Sequence, residues 1–265
     1  MNILIIGTGN VATANYLPVL CKHDDTNLSY FNRTRSKAEE CASRFGGSVC
    51  GTLEEAFALD LDAVFVLTKE TTRAEVLRSL LQHRPTRVFL EKPLAHTPDV
   101  ATEIYNELIR SRKVFRLGYT FRYTPWGKEL LNTFITAKKA SGSFFIHWSF
   151  YAHHYRYEMY KWKRFHNQGG GAIRFYGIQI IALLAEIGYL DVKISRSFGV
   201  NLNESEKWVA VVSGLGLPDC KIVVDTKSSV NKFQIGLNIY SSKELPMKYS
   251  VNLSDPFALA VMLIG

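Results

Sequence analysis

The chain opens with a short apolar run, Met1–Asn2–Ile3–Leu4–Ile5–Ile6, that stops at Gly7–Thr8–Gly9–Asn10–Val11–Ala12. A buried strand that breaks at a glycine-spaced turn and feeds a helix is the opening of a dinucleotide-binding βαβ unit. Gly7 permits the tight turn, and Gly9 lets the main chain approach a phosphate. Ala12, small where a third glycine usually stands, lets the helix pack on the strand. The helix start then offers free N–H groups and its positive dipole end to an anion. Thr8, Asn10 and Val11 therefore join Gly7 and Gly9 as candidate pyrophosphate contacts.

The first half of the chain keeps this rhythm. Apolar runs at 2–6, 28–32, 63–68, 87–90 and 114–119 alternate with helical patterns at 11–22, 36–45, 53–59, 72–83 and 98–112. Continuous apolar strands separated by helices predict a parallel sheet covered on both faces. Thr52 before Glu54–Glu55, and Thr97 before Pro98–Asp99, read as helix caps. Past Tyr119 the texture changes to strands that alternate polar with apolar residues, at 142–151, 192–199, 208–215, 221–226 and 233–240. These predict an open, mainly antiparallel sheet with one face covered. Helices at 126–138 and 172–186 interrupt it. The expected division is an α/β dinucleotide-binding domain over 1–118 and an α+β domain over 119–265, the latter for substrate binding and oligomerisation. Asp255–Pro256–Phe257 reads as the start of a closing helix.

No apolar stretch reaches the roughly 18 residues a membrane span needs. The N-terminal run has no basic region ahead of it and continues into the glycine turn, so it reads as a core strand and not a signal peptide. Cys21, Cys41, Cys50 and Cys220 show no metal-ligand or redox spacing, which predicts reduced thiols in a cytoplasmic protein and no metal site. The net charge of +8 is scattered, with no basic tract. It therefore fits a phosphate-bearing cofactor and an anionic small substrate as well as it fits nucleic acid, and no nucleic-acid or membrane partner is expected.

Two loops carry the candidate chemistry. The second strand ends in Asn32–Arg33–Thr34–Arg35, with Lys37 beyond. An NAD enzyme usually places an acid here to hold the ribose hydroxyls. Asn32 has no charge to repel a 2′-phosphate, Arg33, Arg35 and Lys37 attract one, and Thr34 can donate a hydrogen bond. NADP(H) is favoured, and NAD(H) stays open. Thr68, closing the run 63–68, joins the cofactor set. Glu91–Lys92–Pro93 comes directly after the run 87–90, at the carboxyl end of a strand where ligands sit in open α/β sheets. A lysine there can protonate a carbonyl oxygen receiving hydride, or accept a proton from an alcohol being oxidised.

The glycine turn, Glu91–Lys92–Pro93–Leu94–Ala95, Tyr123–Thr124–Pro125, Trp162 and Gly169–Gly170–Gly171–Ala172 succeed one another in an order that resembles the Gfo/Idh/MocA oxidoreductases, the glucose–fructose oxidoreductase and inositol dehydrogenase relatives. The resemblance covers nearly the whole chain. It implies a Rossmann domain and a C-terminal sheet used to form a homodimer or homotetramer. It also implies NAD(P)-linked redox chemistry on sugars or their derivatives, with Lys92 as the active-site lysine and Glu91 and Pro93 lining the nicotinamide end.

One departure stands out. The family pattern places an aspartate and, four residues later, a histidine after G-G-G-A, and those positions here are Phe175 and Gln179. Gln179 can hydrogen-bond a substrate hydroxyl but cannot shuttle a proton near neutral pH. Tyr176 and His166 are the substitute acid–base candidates. Arg164 is a candidate partner for a substrate phosphate or carboxylate, and Asn167, Trp162 and Tyr123 are further substrate contacts. His147, His153 and His154 belong to a strand and its exit, with alternation placing His153 and His154 on opposite faces. Two function classes remain: an NAD(P)-dependent oxidoreductase acting on a sugar or sugar-nucleotide carbonyl, and a redox-silent dinucleotide-binding sensor or scaffold.

Overall fold

The computed structural model describes residues 1–83, 87–136, 141–240 and 247–257. The chain divides into two compact units, Met1–Gly118 and Tyr119–Gly265.

The first unit is built on a six-stranded parallel sheet: β1 Asn2–Ile6, β2 Asn27–Phe31, β3 Ser48–Val49, β4 Ala63–Val66, β5 Arg87–Leu90 and β6 Val114–Leu117, in the order β3-β2-β1-β4-β5-β6. Because side chains alternate along a strand, β1 feeds two cores. Leu4 and Ile6 pack with Val64, Val66, Val88 and Leu90 beneath Leu77, Leu80, Ile104 and Leu108. Ile3 and Ile5 pack on the other face with Leu28, Tyr30, Leu17 and Cys41. Burial on both faces is why these strands read as unbroken apolar runs. The caps are made as their sequences require. Thr52 and Glu55 close a reciprocal capping box on the helix Leu53–Phe57, and Thr97 Oγ1 accepts from Val100 N at 3.3 Å.

The second unit holds a mixed sheet: β7 Ser141–Tyr151, β8 Asp191–Phe198, β9 Lys207–Ser213, β10 Cys220–Asp225, β11 Lys227–Tyr240 and β12 Met247–Leu253, ordered β12-β11-β7-β10-β9-β8. β7 and β10 run parallel, and the other neighbouring pairs run antiparallel. Helices Pro125–Thr136 and Ile178–Ile187 lay Leu130, Ile180, Leu183 and Leu184 on one face, against Phe144, Ile146, Trp148, Ile222 and Ile235. The opposite face is open and carries, in register, Gly236, Phe145, Lys221, Val211 and Ile194. Phe145 is 42 % exposed, and the edge strand β8 is exposed along its whole length.

Several expectations need correction. β3 and β12 go beyond the expected strands; β3 has only two residues. The helix expected from 11 to 22 opens as a π-turn, Ala12–Tyr16, before Leu17–Leu20, and the one expected from 172 opens as a π-turn, Ala172–Gly177. His153 and His154, just past the end of β7, lie on a short helix, His153–Arg156, so strand alternation does not apply to them. His154 is buried and His153 exposed. The end of the helix expected to reach 138, and a closing helix beyond Phe257, fall outside the described residues.

Candidate active site

The first unit gathers its candidate residues at the carboxyl ends of β1, β2, β4 and β5. Gly7 leaves β1 with φ of 97° and donates its N–H to Phe31 O at 2.9 Å. A Cβ on Gly7 would stand 2.9 Å from the main chain of Leu67 and Thr68, so conformation and packing both demand glycine here. Gly9 is the opposite case. A Cβ there would meet nothing within 4 Å, and the residue is exposed. The outer side of the turn is open space, as close approach by a pyrophosphate requires, so the turn fits a dinucleotide. Asn10 and Val11, at the helix start, are exposed beside it, whereas Ala12 is fully buried against the sheet.

The β2 loop is tied to this turn. Asn32 Oδ1 accepts from Thr8 N, and Asn32 Nδ2 donates to Thr34 O. Arg35 pairs with Glu39 at 2.8 Å, so its charge is partly spent. Arg33, Thr34 and Lys37 are exposed. At the end of β4, Thr68 presents its carbonyl to the Arg73 guanidinium at 2.6 Å, while its own hydroxyl is buried with no hydrogen-bond partner among the described residues.

Glu91–Lys92–Pro93 leaves β5 beside that carbonyl. Glu91 N donates to Val66 O at 3.2 Å, and the Lys92–Pro93 peptide is cis. Arg73, 1 % exposed, donates to the carbonyls of Pro93 and Leu94. The Glu91 carboxylate accepts the Tyr16 hydroxyl at 2.6 Å. Burial, then Glu91, push the Tyr16 phenol far above its usual range, so it remains a proton donor to Glu91. Lys92 is half-buried between these two fixed neighbours. Tyr16 and Arg73 hold this loop in place, and the sequence reading misses both. An aromatic in the first helix turn after the glycines, and an arginine on the buried helix face shared with Leu77 and Leu80, are the available signals.

In the second unit the glycine run is a packing necessity. A Cβ on Gly170 would fall 2.3 Å from Trp162 O, and one on Gly171, at φ 79°, 2.7 Å from Ser205 Cβ. Trp162 meets Phe175 edge to face at 5.5 Å, and Lys163 Nζ lies 5.0 Å over the Phe175 ring.

Three candidates are engaged in internal contacts. Gln179 is 4 % exposed; its Oε1 accepts from Thr120 N at 2.9 Å, and its Nε2 donates to Thr120 Oγ1 at 3.4 Å. Its carbonyl ties the helix Ile178–Ile187 to the short 3-10 helix Thr120–Tyr123. Tyr176 packs among Trp148, Phe150, His154 and Phe175, where burial raises its pKa strongly and makes it a poor acid. Arg164 pairs with the buried Glu204 at 2.9 Å beneath the rings of Tyr155 and Tyr160, so its charge is neutralised internally. His166 is exposed. It lines a hollow of about 560 Å³ with Ser197, Asn201 and Ser205, and partial burial and Arg174 hold its pKa down. Asn167 and Tyr123 are exposed, with Arg122 over the Tyr123 ring.

Residues 1–119 match the oxidoreductase family described as having an NAD-binding Rossmann fold, Gfo/Idh/MocA. The first unit matches that family's NAD-binding Rossmann fold over its whole length. Solved structures extend the likeness of fold over both units. The dehydrogenase MviM from Clostridium difficile superposes with a TM-score of 0.75 at 19 % identity, over 95 % of this chain and 77 % of that one. WlbA from Bordetella pertussis, in complex with NADH and UDP-GlcNAcA, gives 0.75 at 15 %, over 97 % and 75 %. An NAD-binding protein from Listeria innocua gives 0.70 at 18 %, over 90 % and 70 %. The Gfo/Idh/MocA reading of the sequence and its two-sheet fold are thus borne out.

Among the described residues, no group of three or more His, Cys, Asp or Glu side chains is placed to hold a metal ion, and no helix is long and apolar enough to cross a membrane. Phe175 and Gln179 are both built into internal contacts of the second unit.

Proposed function

We propose that the chain is an oxidoreductase, using NADP(H) in preference to NAD(H), that moves hydride to or from the carbonyl carbon of a sugar, a sugar nucleotide or a related compound. One observation carries this reading. The glycine turn after β1 and Lys92 after β5 stand at the same edge of one parallel sheet, separated only by β4, whose end holds Thr68 against Gly7 and, through Arg73, ties it to Pro93. Open α/β sheets bind ligands at that edge. The main chain of Gly9–Val11 would hold the pyrophosphate beside Gly7, Thr8 and Thr68, the N–H groups of Gly7 and Thr8 being spent on Phe31 and Asn32, and Asn32, Arg33, Thr34, Arg35 and Lys37 would face the adenosine end. The bound nicotinamide supplies or takes the hydride. Lys92 gives a proton to the substrate oxygen in reduction and removes one in oxidation, with Glu91 and Pro93 beside it. With Tyr176 and Gln179 engaged internally, we assign the acid–base role to Lys92, and His166 is the substitute. Tyr123, Trp162 and Asn167 are kept as substrate contacts.

NADP(H) is supported by the exposed Arg33 and Lys37 and by the absence of an acid at Asn32. A phosphate-bearing substrate is supported by the net charge of +8, and WlbA holds UDP-GlcNAcA on the same fold. The open sheet face around Phe145 is proposed as a homo-oligomer surface. Fluorescence titration with NADPH and NADH, and then absorbance at 340 nm with UDP-GlcNAcA and a panel of keto-sugars, tests the enzyme. Lys92→Met is expected to abolish turnover while leaving cofactor affinity nearly intact, and full activity in that variant overturns the mechanism. Tight NADPH binding with no turnover on any substrate would favour the sensor reading, which draws on Phe175 and Gln179 standing where an aspartate and a histidine are expected.

A further inference from the structure

We propose that Tyr16 is the positioning residue for Lys92, linking the dinucleotide turn to the lysine through Glu91. The inference rests on the reading of Lys92 as the proton-transfer residue. Lys92 has no rigid element of its own, because it stands in the loop after β5. Its neighbours supply the rigidity. On the N-terminal side, Glu91 is held twice, its N–H on Val66 O and its carboxylate on the Tyr16 hydroxyl at 2.6 Å. On the C-terminal side, the Pro93 carbonyl is held by the buried Arg73. The main chain of Lys92 is thereby placed from both sides.

Tyr16 itself is well fixed. Its ring meets Phe65 and Phe89 edge to face at 6.0 and 5.2 Å, and those two rings stack at 4.9 Å on neighbouring strands. Gly118 leaves room for the contact: a Cβ there would lie 3.4 Å from the Tyr16 hydroxyl and 3.5 Å from Glu91 Oε2. The π-turn Ala12–Tyr16 widens the helix just where Tyr16 leaves it, and such turns recur at functional sites. Tyr16 therefore sits on the helix that begins at the phosphate-binding turn and ends its side chain one residue from the lysine. A hydrogen bond to a carboxylate is stronger than one between neutral groups. Deprived of this donor, the half-buried Glu91 carboxylate would turn to the adjacent Lys92 ammonium.

The test reads Lys92 directly and needs no substrate. The full chain and its Tyr16→Phe variant are acetylated at pH 8 with limiting acetic anhydride, and each lysine is quantified by peptide mass spectrometry. Lys92 is expected to react about fivefold more slowly in Tyr16→Phe, while Lys37 and Lys113 keep their rates, the scale of coupling between contacting residues. In a Glu91→Ala background, Tyr16→Phe is expected to add nothing further. An unchanged or faster Lys92 in the folded Tyr16→Phe variant overturns the proposal, as does a full effect without Glu91. If Glu91→Ala fails to fold, the single variant decides. On any substrate the wild type turns over, Tyr16→Phe should lower kcat about tenfold at unchanged KM for NADPH. Activity surviving Lys92→Met would remove the proton-transfer reading, whereas the labelling would still report whether Tyr16 places Lys92.

Discussion

Asn32 Oδ1 accepts the Thr8 main-chain N–H at 3.2 Å, so the residue that replaces the usual acid also holds the glycine turn. An aspartate would keep that acceptor and add a negative charge facing the adenosine end. Asn32→Asp is therefore expected to fold, and to weaken NADPH relative to NADH by about tenfold or more, equivalent to roughly 1.4 kcal/mol. Fluorescence titration of both cofactors measures the ratio. An unchanged ratio would remove this loop from cofactor choice.

Arg73 is a buried cation whose contacts include three main-chain carbonyls, those of Thr68, Pro93 and Leu94. Arg73→Met fills a similar volume but strands those acceptors away from water. A loss of about 3 kcal/mol in unfolding free energy is expected, read from the urea midpoint. A midpoint within experimental error of wild type would show that the carbonyls find other donors.

His154 provides a pH signature. It is 3 % exposed, and its Nε2 meets no hydrogen-bond partner among the described residues. Burial first, then Lys163 and Arg164, push its pKa down to about 4, against 6.5 for a free imidazole. The unfolded chain takes up a proton that the folded chain refuses, so stability falls as the pH drops through 6.5 and goes on falling to about 4. Roughly 2 kcal/mol should be lost between about pH 7 and pH 5. Urea unfolding across that range checks it, and His154→Leu should flatten this part of the curve. A slope that persists in the variant would assign it to other groups.

Phe145 lies over Gly236 on the open sheet face, so close that a Cβ on Gly236 would fall 2.2 Å from its ring. With Val211 and Ile194 in the same row, it forms an apolar strip crossed by Lys221. If this face joins copies of the chain, Phe145→Glu buries an unpaired charge and should convert the oligomer to a monomer. Light scattering after size exclusion gives the masses. A wild type that is already monomeric at micromolar concentration would end the proposal.

The first sheet is legible in the sequence because its central strands are buried on both faces and helix starts such as those at Thr52 and Thr97 carry their own caps. Gly7, Gly9 and Lys92 are legible for a related reason: their roles depend on main-chain position at a strand end. The use of long side chains over distance is not legible. Gln179 reaches Thr120, Arg164 reaches Glu204 and Tyr16 reaches Glu91 across 59, 40 and 75 residues, and no local pattern encodes such partners. β12 is different, since Tyr249, Val251 and Leu253 do alternate with polar residues, and the strand signal is present.

The π-turns after both glycine motifs also bear on how positions are matched between relatives. A turn closed by an i to i+5 bond holds one residue more than an α-turn. Beyond it, every side chain is rotated away from the azimuth that simple counting assigns. Ala172–Gly177 is such a turn, and counting from the glycine run to Phe175 and Gln179 passes through it. Superposed Cα–Cβ vectors, and not sequence offsets, are therefore the test of the correspondence expected for those two residues.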